Sequence, residues 1–258
     1  MLKLRPQRIT LLFALMAAAL LIANCGVLLA RYLGYDHLGG LVPLFDMDLE
    51  RNFPTFFAAL LAVVASGLLL AISMVKKQMM RPWKLWASLS GIFLLVAMDE
   101  FIGIHEQLSQ PLRELLDAKG LLYFAWIIPY GLLAMLLAGI YGRFVFEMPI
   151  HIRNGLLLSA TLFLGGALGF EMLSGMLFEQ NNRADSLLYG VMSTVRESLE
   201  LAGIILFINT LLWYIEDVQK NILIQLGTYD PMARIIKEAQ RPLPQSVFRM
   251  DNSNRAEP

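Results

Sequence analysis

Blocks of about 20 or more mostly apolar residues recur along the chain, each long enough to cross a bilayer as a helix. They run Ile9–Leu33, Pro54–Val75, Trp83–Gln107, Leu121–Val145, Gly155–Phe178 and Leu187–Trp213. Hydrocarbon offers backbone N–H and C=O groups no water to bond, so a spanning segment must satisfy its own, and the helix does this within one segment. The expected fold is all-α, a polytopic membrane bundle of about six transmembrane helices over residues 1–213. Residues 214–258 are polar, are broken by Pro231, Pro242 and Pro244, and read as a partly disordered cytoplasmic tail. Only 16% of residues are charged, against roughly 25% in an average soluble domain.

The lipid bilayer is therefore the expected partner. A formal net charge of zero gives no reason to expect nucleic acid. A membrane-protein partner or a homo-oligomer stays open. Cys25, the single cysteine, cannot form an internal disulfide and reads as a small packed residue. Ala23-Asn24-Cys25-Gly26 imitates a lipoprotein cleavage site, but the apolar run continues past it to Leu33, which favours an uncleaved helix.

Basic residues mark the cytoplasmic side of a membrane protein. Lys3, Arg5 and Arg8 precede the first block, Lys76, Lys77, Arg81 and Lys84 follow the second, and Arg143 and Arg153 bracket the fourth connection. Both termini are then inside, and the loops at 31–53 and 109–120 lie outside. Trp83, Trp86, Trp126 and Trp213 fall mostly near block ends, as interfacial anchors do. Pro111–Asp117 reads as a short interfacial helix, and Asn52 with Pro54 as a helix start. The stretch Asp46-Met47-Asp48-Leu49-Glu50 reads as a solvated loop, able to fold over the outer mouth of the bundle. It also resembles a calcium loop in its alternating acids, without the glycine turn of an EF-hand.

Ionised groups inside such blocks cost about 2.5–3.5 kcal/mol each on an insertion scale and mark functional sites. Asp99, Glu100, His105 and Glu106 lie in the third block, Glu171 in the fifth, and Arg196, Glu197 and Glu200 in the sixth. On one continuous helix Asp99 and Glu106 nearly eclipse each other, with Gly103 leaving room beside them. Glu197 and Glu200 share a face with Ser193 and Gly203. At 1.5 Å per residue, Asp99, Glu171 and Glu197 all sit roughly 10–15 Å below the outer surface. Acids from three helices can thus converge in the outer half of the membrane, where they must be protonated, hydrated or bound to cations. Glycines 165, 166 and 169 precede Glu171 and allow close helix approach.

Carboxylates with one imidazole suit Zn, Mn or Fe. The candidate ligands of a divalent metal are Asp99, His105, Glu106, Glu171, Glu197 and Glu200. Glu100 is a candidate partner for Arg196, which could equally hold an anionic substrate group. A metal there would support hydrolysis or redox chemistry. A proton- or cation-coupled transporter and a non-catalytic subunit of a membrane complex are the alternative readings.

Several segments together resemble an uncharacterised family of bacterial multi-pass inner-membrane proteins. They are Leu44–Thr55 (LFDMDLERNFPT), Met98–Glu106 (MDEFIGIHE) and Glu197–Gly203 (ESLELAG). Where that pattern often has two adjacent acids, this chain has Arg196-Glu197. The resemblance implies a bacterial inner-membrane protein and brings no activity with it.

Overall fold

A computed structural model describes residues 6–181 and 187–228, the side chains of Asn181 and 219–228 excepted. Among the described residues the regular structure is helical. Helix α1 is Pro6–Tyr32, α2 Leu41–Phe45, α3 Phe53–Gln78, α4 Lys84–Ile102, α5 Ile104–Leu116, α6 Ile127–Phe146, α7 Ile150–Leu164, α8 Glu171–Asn181 and α9 Leu187–Thr228. Six candidate spans are long and apolar enough to cross a membrane: α1, α3, α4, α6, the run Ile150–Gln180 through α7 and α8, and the part of α9 up to Val218. This is the architecture of a multi-pass membrane protein. The chain divides into two units, Met1–Ile215 and Glu216–Pro258. Helices α1 to α8 and the larger part of α9 belong to the first.

The helix starts follow from local chemistry. Asn52 caps α3, its Oδ1 accepting from Thr55 N at 3.1 Å, with Pro54 in the first turn, where a missing N–H costs nothing. Helices α3 and α4 pack side by side and are tied by Ser66 and Ser90, each of which donates to the other's carbonyl at 2.8 and 2.9 Å. Helix α9 packs against α7 where glycines let the backbones meet. A Cβ built on Gly203 would lie 2.7 Å from Phe163 N, and one on Gly166 would lie 2.7 Å from the Arg196 carbonyl oxygen.

The structure departs from the sequence reading in several places. The third apolar block is not one helix. Gly103, at φ 70° and ψ 44°, ends α4 and starts α5, because a left-handed residue cannot continue a right-handed helix. The eclipsing of Asp99 and Glu106 along a continuous helix therefore does not occur. The expected short helix at Pro111–Asp117 is the second half of α5, with Pro111 inside it. The fifth block is interrupted by a π-helical turn at Gly165–Phe170. One extra residue in a turn rotates the rest of the helix by about 100°.

At the end of the sixth block, α9 runs on past Trp213 to Thr228, so residues 214–228 are helical rather than disordered. The remainder of the expected tail, with Pro231, Pro242 and Pro244, lies outside the described residues. Cys25 is exposed on α1 rather than packed. Trp86 and Trp126 are buried and pack against other aromatic groups, Trp86 on Phe144 and Tyr214 and Trp126 on His105 and Tyr130. They fill the bundle instead of anchoring it.

Candidate functional site

The stretch Asp46–Glu50 is not a solvated loop. Asp46, Met47 and Asn52 are buried, and polar ties hold the segment down. Asn24, in the middle of α1, accepts from Met47 N at 3.0 Å and donates to Thr194 on α9 at 2.7 Å. Arg31 pairs with Asp46. Asn52 Nδ2 donates to the Leu49 carbonyl at 2.8 Å. Asp48 accepts from Ser193 on α9 at 2.9 Å. These groups hold one another in place of water, and the alternation of the stretch sends Met47 into the core while its acids meet α1 and α9.

Pinned in this way, the loop delivers Glu50 to the break between α4 and α5. Glu50, His105 and Glu106 each present a ligand atom, and the three atoms lie within 4.8 Å of one another. Gly103 borders the group, with Glu50 Cγ 3.7 Å and Glu106 Oε2 3.8 Å from where its Cβ would be. Buried Glu50 Oε2 has no hydrogen-bond partner. Burial pushes the Glu50 carboxyl up to about 7, with the neighbouring Glu106 and Glu197 carboxylates adding to the rise and His105 opposing it.

Asp99 stands behind the histidine. Its Oδ1 accepts from His105 N at 3.0 Å, capping the first turn of α5 across the glycine break, and from the Tyr130 hydroxyl at 3.1 Å. Its Oδ2 lies 3.1 Å from His105 Nδ1. A carboxylate on Nδ1 fixes the tautomer and leaves Nε2 as the ligand nitrogen, the arrangement found behind metal-bound imidazoles. Burial by itself would lower the His105 pKa, but the hydrogen bond and charge of Asp99 outweigh it and raise it. Burial raises Asp48, against the pull of Arg196.

A second cluster lies on α8 and α9. Arg196 donates to Glu171 at 2.6 Å and to Glu197 at 2.8 Å. The π turn before α8 sets the direction in which Glu171 emerges, which is why a residue alone on its helix finds a partner. Glu200 and Glu100 are within electrostatic range of Arg196 and Glu197. Arg196 thus neutralises part of the acidic excess. Glu100, expected as its partner, makes no ion pair with it among the described residues.

The candidate ligands consequently separate by role. His105 and Glu106 join Glu50. Asp99 orients His105. Glu171 and Glu197 are held by Arg196, and Glu200 lies beside them. Glu50 was visible in the sequence only as the last acid of an alternating run ahead of a capped helix start. Asn24 and Tyr130 carried no signal beyond being polar groups in apolar blocks.

The Glu50 shift has a measurable consequence. Its folded pKa lies above the ordinary glutamate value of 4.5, so the folded state holds a proton that the unfolded state loses first. In metal-free protein that contribution to stability is complete below pH 4.5 and lost as pH rises to about 7. Glu50→Gln should flatten this slope in detergent unfolding measured between pH 4.5 and 8. An unchanged slope would place the titrating group elsewhere.

A family described as a domain of unknown function (DUF8692) matches residues 9–215. No curated protein and no solved structure matches the chain.

Proposed function

The chain belongs to the DUF8692 family, a domain of unknown function, and from that premise we propose that it is a membrane protein with a divalent-metal centre at Glu50, His105 and Glu106. The observation that carries the reading is the convergence of three ligand atoms within 4.8 Å from two segments remote in the sequence. The partnerless Glu50 oxygen and the Asp99–His105 pairing support it independently. Two carboxylates and an imidazole suit Zn, Mn or Fe. With only three protein ligands a coordination position stays open, as in catalytic rather than structural sites. Bound there, the ion would lower the pKa of a water molecule and support hydrolysis. Glu100 lies in electrostatic range of Glu50 and His105.

By the distribution of basic residues, this end of the bundle faces outside, with both termini in the cytoplasm; the resemblance of its motifs implies that the membrane is a bacterial inner membrane. The test is metal analysis of protein purified in mild detergent. Stoichiometric metal, lost in His105→Ala and Glu50→Gln, is expected. Asp99→Asn keeps every ligand and loosens only the orientation of the ring, so affinity should fall about 10–100-fold. Protein that takes up protons but retains no divalent ion in any preparation would replace the metal reading with a proton-coupled one.

A further inference from the structure

The backbone at Arg51 sits at φ 62°, a left-handed conformation that a non-glycine residue rarely adopts and that costs of order 1–3 kcal/mol. The strain has a visible result. Glu50 turns inward to Gly103, His105 and Glu106, while the next residue, Arg51, is exposed and faces the other way. There it forms the polar end of a groove of about 550 Å³ whose apolar lining includes Leu44, Phe53, Phe56 and Phe101. That size is ordinary for a small-molecule site.

Two further grooves share Phe56 with the first. One, of about 440 Å³, runs between α1 and α3, and the other, of about 310 Å³, between α3 and α4. The three together are a forked apolar surface with a cation at one end. Arg51 precedes the candidate span Phe53–Gln78 by two residues, which puts it at the level of lipid head groups. Among the described residues no carboxylate pairs with it. Asn52 and Thr55, the other polar side chains of the lining, are spent on the Leu49 carbonyl, on each other and on capping α3.

We propose that this fork seats the acyl chains of an anionic phospholipid, with Arg51 pairing to the phosphate. The inference rests on the groove and on Arg51 and stands apart from the metal reading. Apolar grooves in a bilayer are filled by lipid in any case, and the chains gain little by moving from one apolar surface to another. Recognition must therefore come from the head. Guanidinium groups bind phosphate through paired charge-assisted hydrogen bonds, and Arg51 is poised for this with its charge otherwise unmatched. The groove and the centre are adjacent on both sides through the chain itself, Arg51 following Glu50 and Phe101 standing two residues before Gly103.

The experiment is native mass spectrometry of the full chain, delipidated and then given phosphatidylglycerol or diacylglycerol, which has the same acyl chains and no phosphate, with metal content measured on the same samples. Wild type should retain phosphatidylglycerol about tenfold or more over diacylglycerol, the worth of one charge-assisted contact. Arg51→Gly should abolish that preference. Glycine accepts φ 62° without strain, so this variant folds at least as well and should keep its metal. Arg51→Lys should retain part of the preference. Equal retention of the two lipids by wild type, or a preference that survives Arg51→Gly, overturns the proposal. Metal missing throughout, with a lipid preference that still follows Arg51, would remove the metal centre and leave the lipid seat standing.

Discussion

Replacing Arg196 with Met should destabilise the protein by about 3–5 kcal/mol, the usual cost of removing one partner from a buried ion pair. The burial is what makes the effect large. The side chains of Arg196, Glu171 and Glu197 are 15%, 7% and 16% exposed. Exposed pairs of the same chemistry are worth about 0–1 kcal/mol. Without the guanidinium, Glu171 and Glu197 stay in the bundle with Glu200 and Asp48 nearby and lose the cation they share. Thermal unfolding in detergent micelles should fall by on the order of 10 °C. The control is the triple variant Arg196→Met, Glu171→Met, Glu197→Gln. Removing the three paired charges together removes their desolvation penalty with them, so it should recover most of the loss. If Arg196→Met unfolds within a degree or two of wild type, the pair is not a buried structural tie.

The second large effect concerns glycine, and the same substitution should have opposite signs at two positions. At Gly203 a Cβ would meet Phe163 N at 2.7 Å, Phe163 Cβ at 2.8 Å and Ser159 O at 2.9 Å. Two of these three atoms are backbone, so nothing nearby can swing aside. Gly203→Ala has to push α7 and α9 apart and should cost about 1–3 kcal/mol. At Gly142 on α6 nothing lies within 4 Å, and Gly142→Ala should gain about 0.5–1 kcal/mol from the lower entropy of the unfolded chain and better helix propensity. Unfolding temperatures of the two variants, measured side by side, check the pair. The loss at Gly203 should also reach the polar cluster, because Gly166 meets the Arg196 carbonyl only while these helices stay close. A Gly203→Ala variant as stable as wild type would mean that α7 and α9 do not pack through Gly203.

Long apolar blocks determined by themselves that the chain is helical and spans a membrane several times, because hydrocarbon leaves the backbone no other way to pair its polar groups. The capped start of α3 at Asn52 was legible for a similar reason, since one side chain and one proline decide it locally. The acids inside apolar blocks announced a polar site, since an unpaired charge there is too costly to be incidental.

Only the tertiary structure decided which acids share a partner. Gly103 has no side chain to betray that it breaks the helix, yet that break carries His105 and Glu106 to Glu50 and puts Asp99 behind the ring. The π turn at Gly165–Phe170 likewise turns Glu171 to Arg196, and no periodicity in the sequence marks the added residue. Glu50 lay in a loop that composition alone would leave in water. Its burial depends on Asn24, Thr194 and Ser193 from α1 and α9, contacts more than 20 residues away in the chain. Local pattern sets what a segment is, because helix and membrane energetics act residue by residue. Which side chains meet depends on breaks, register and long-range ties, and these exist only once the helices have packed.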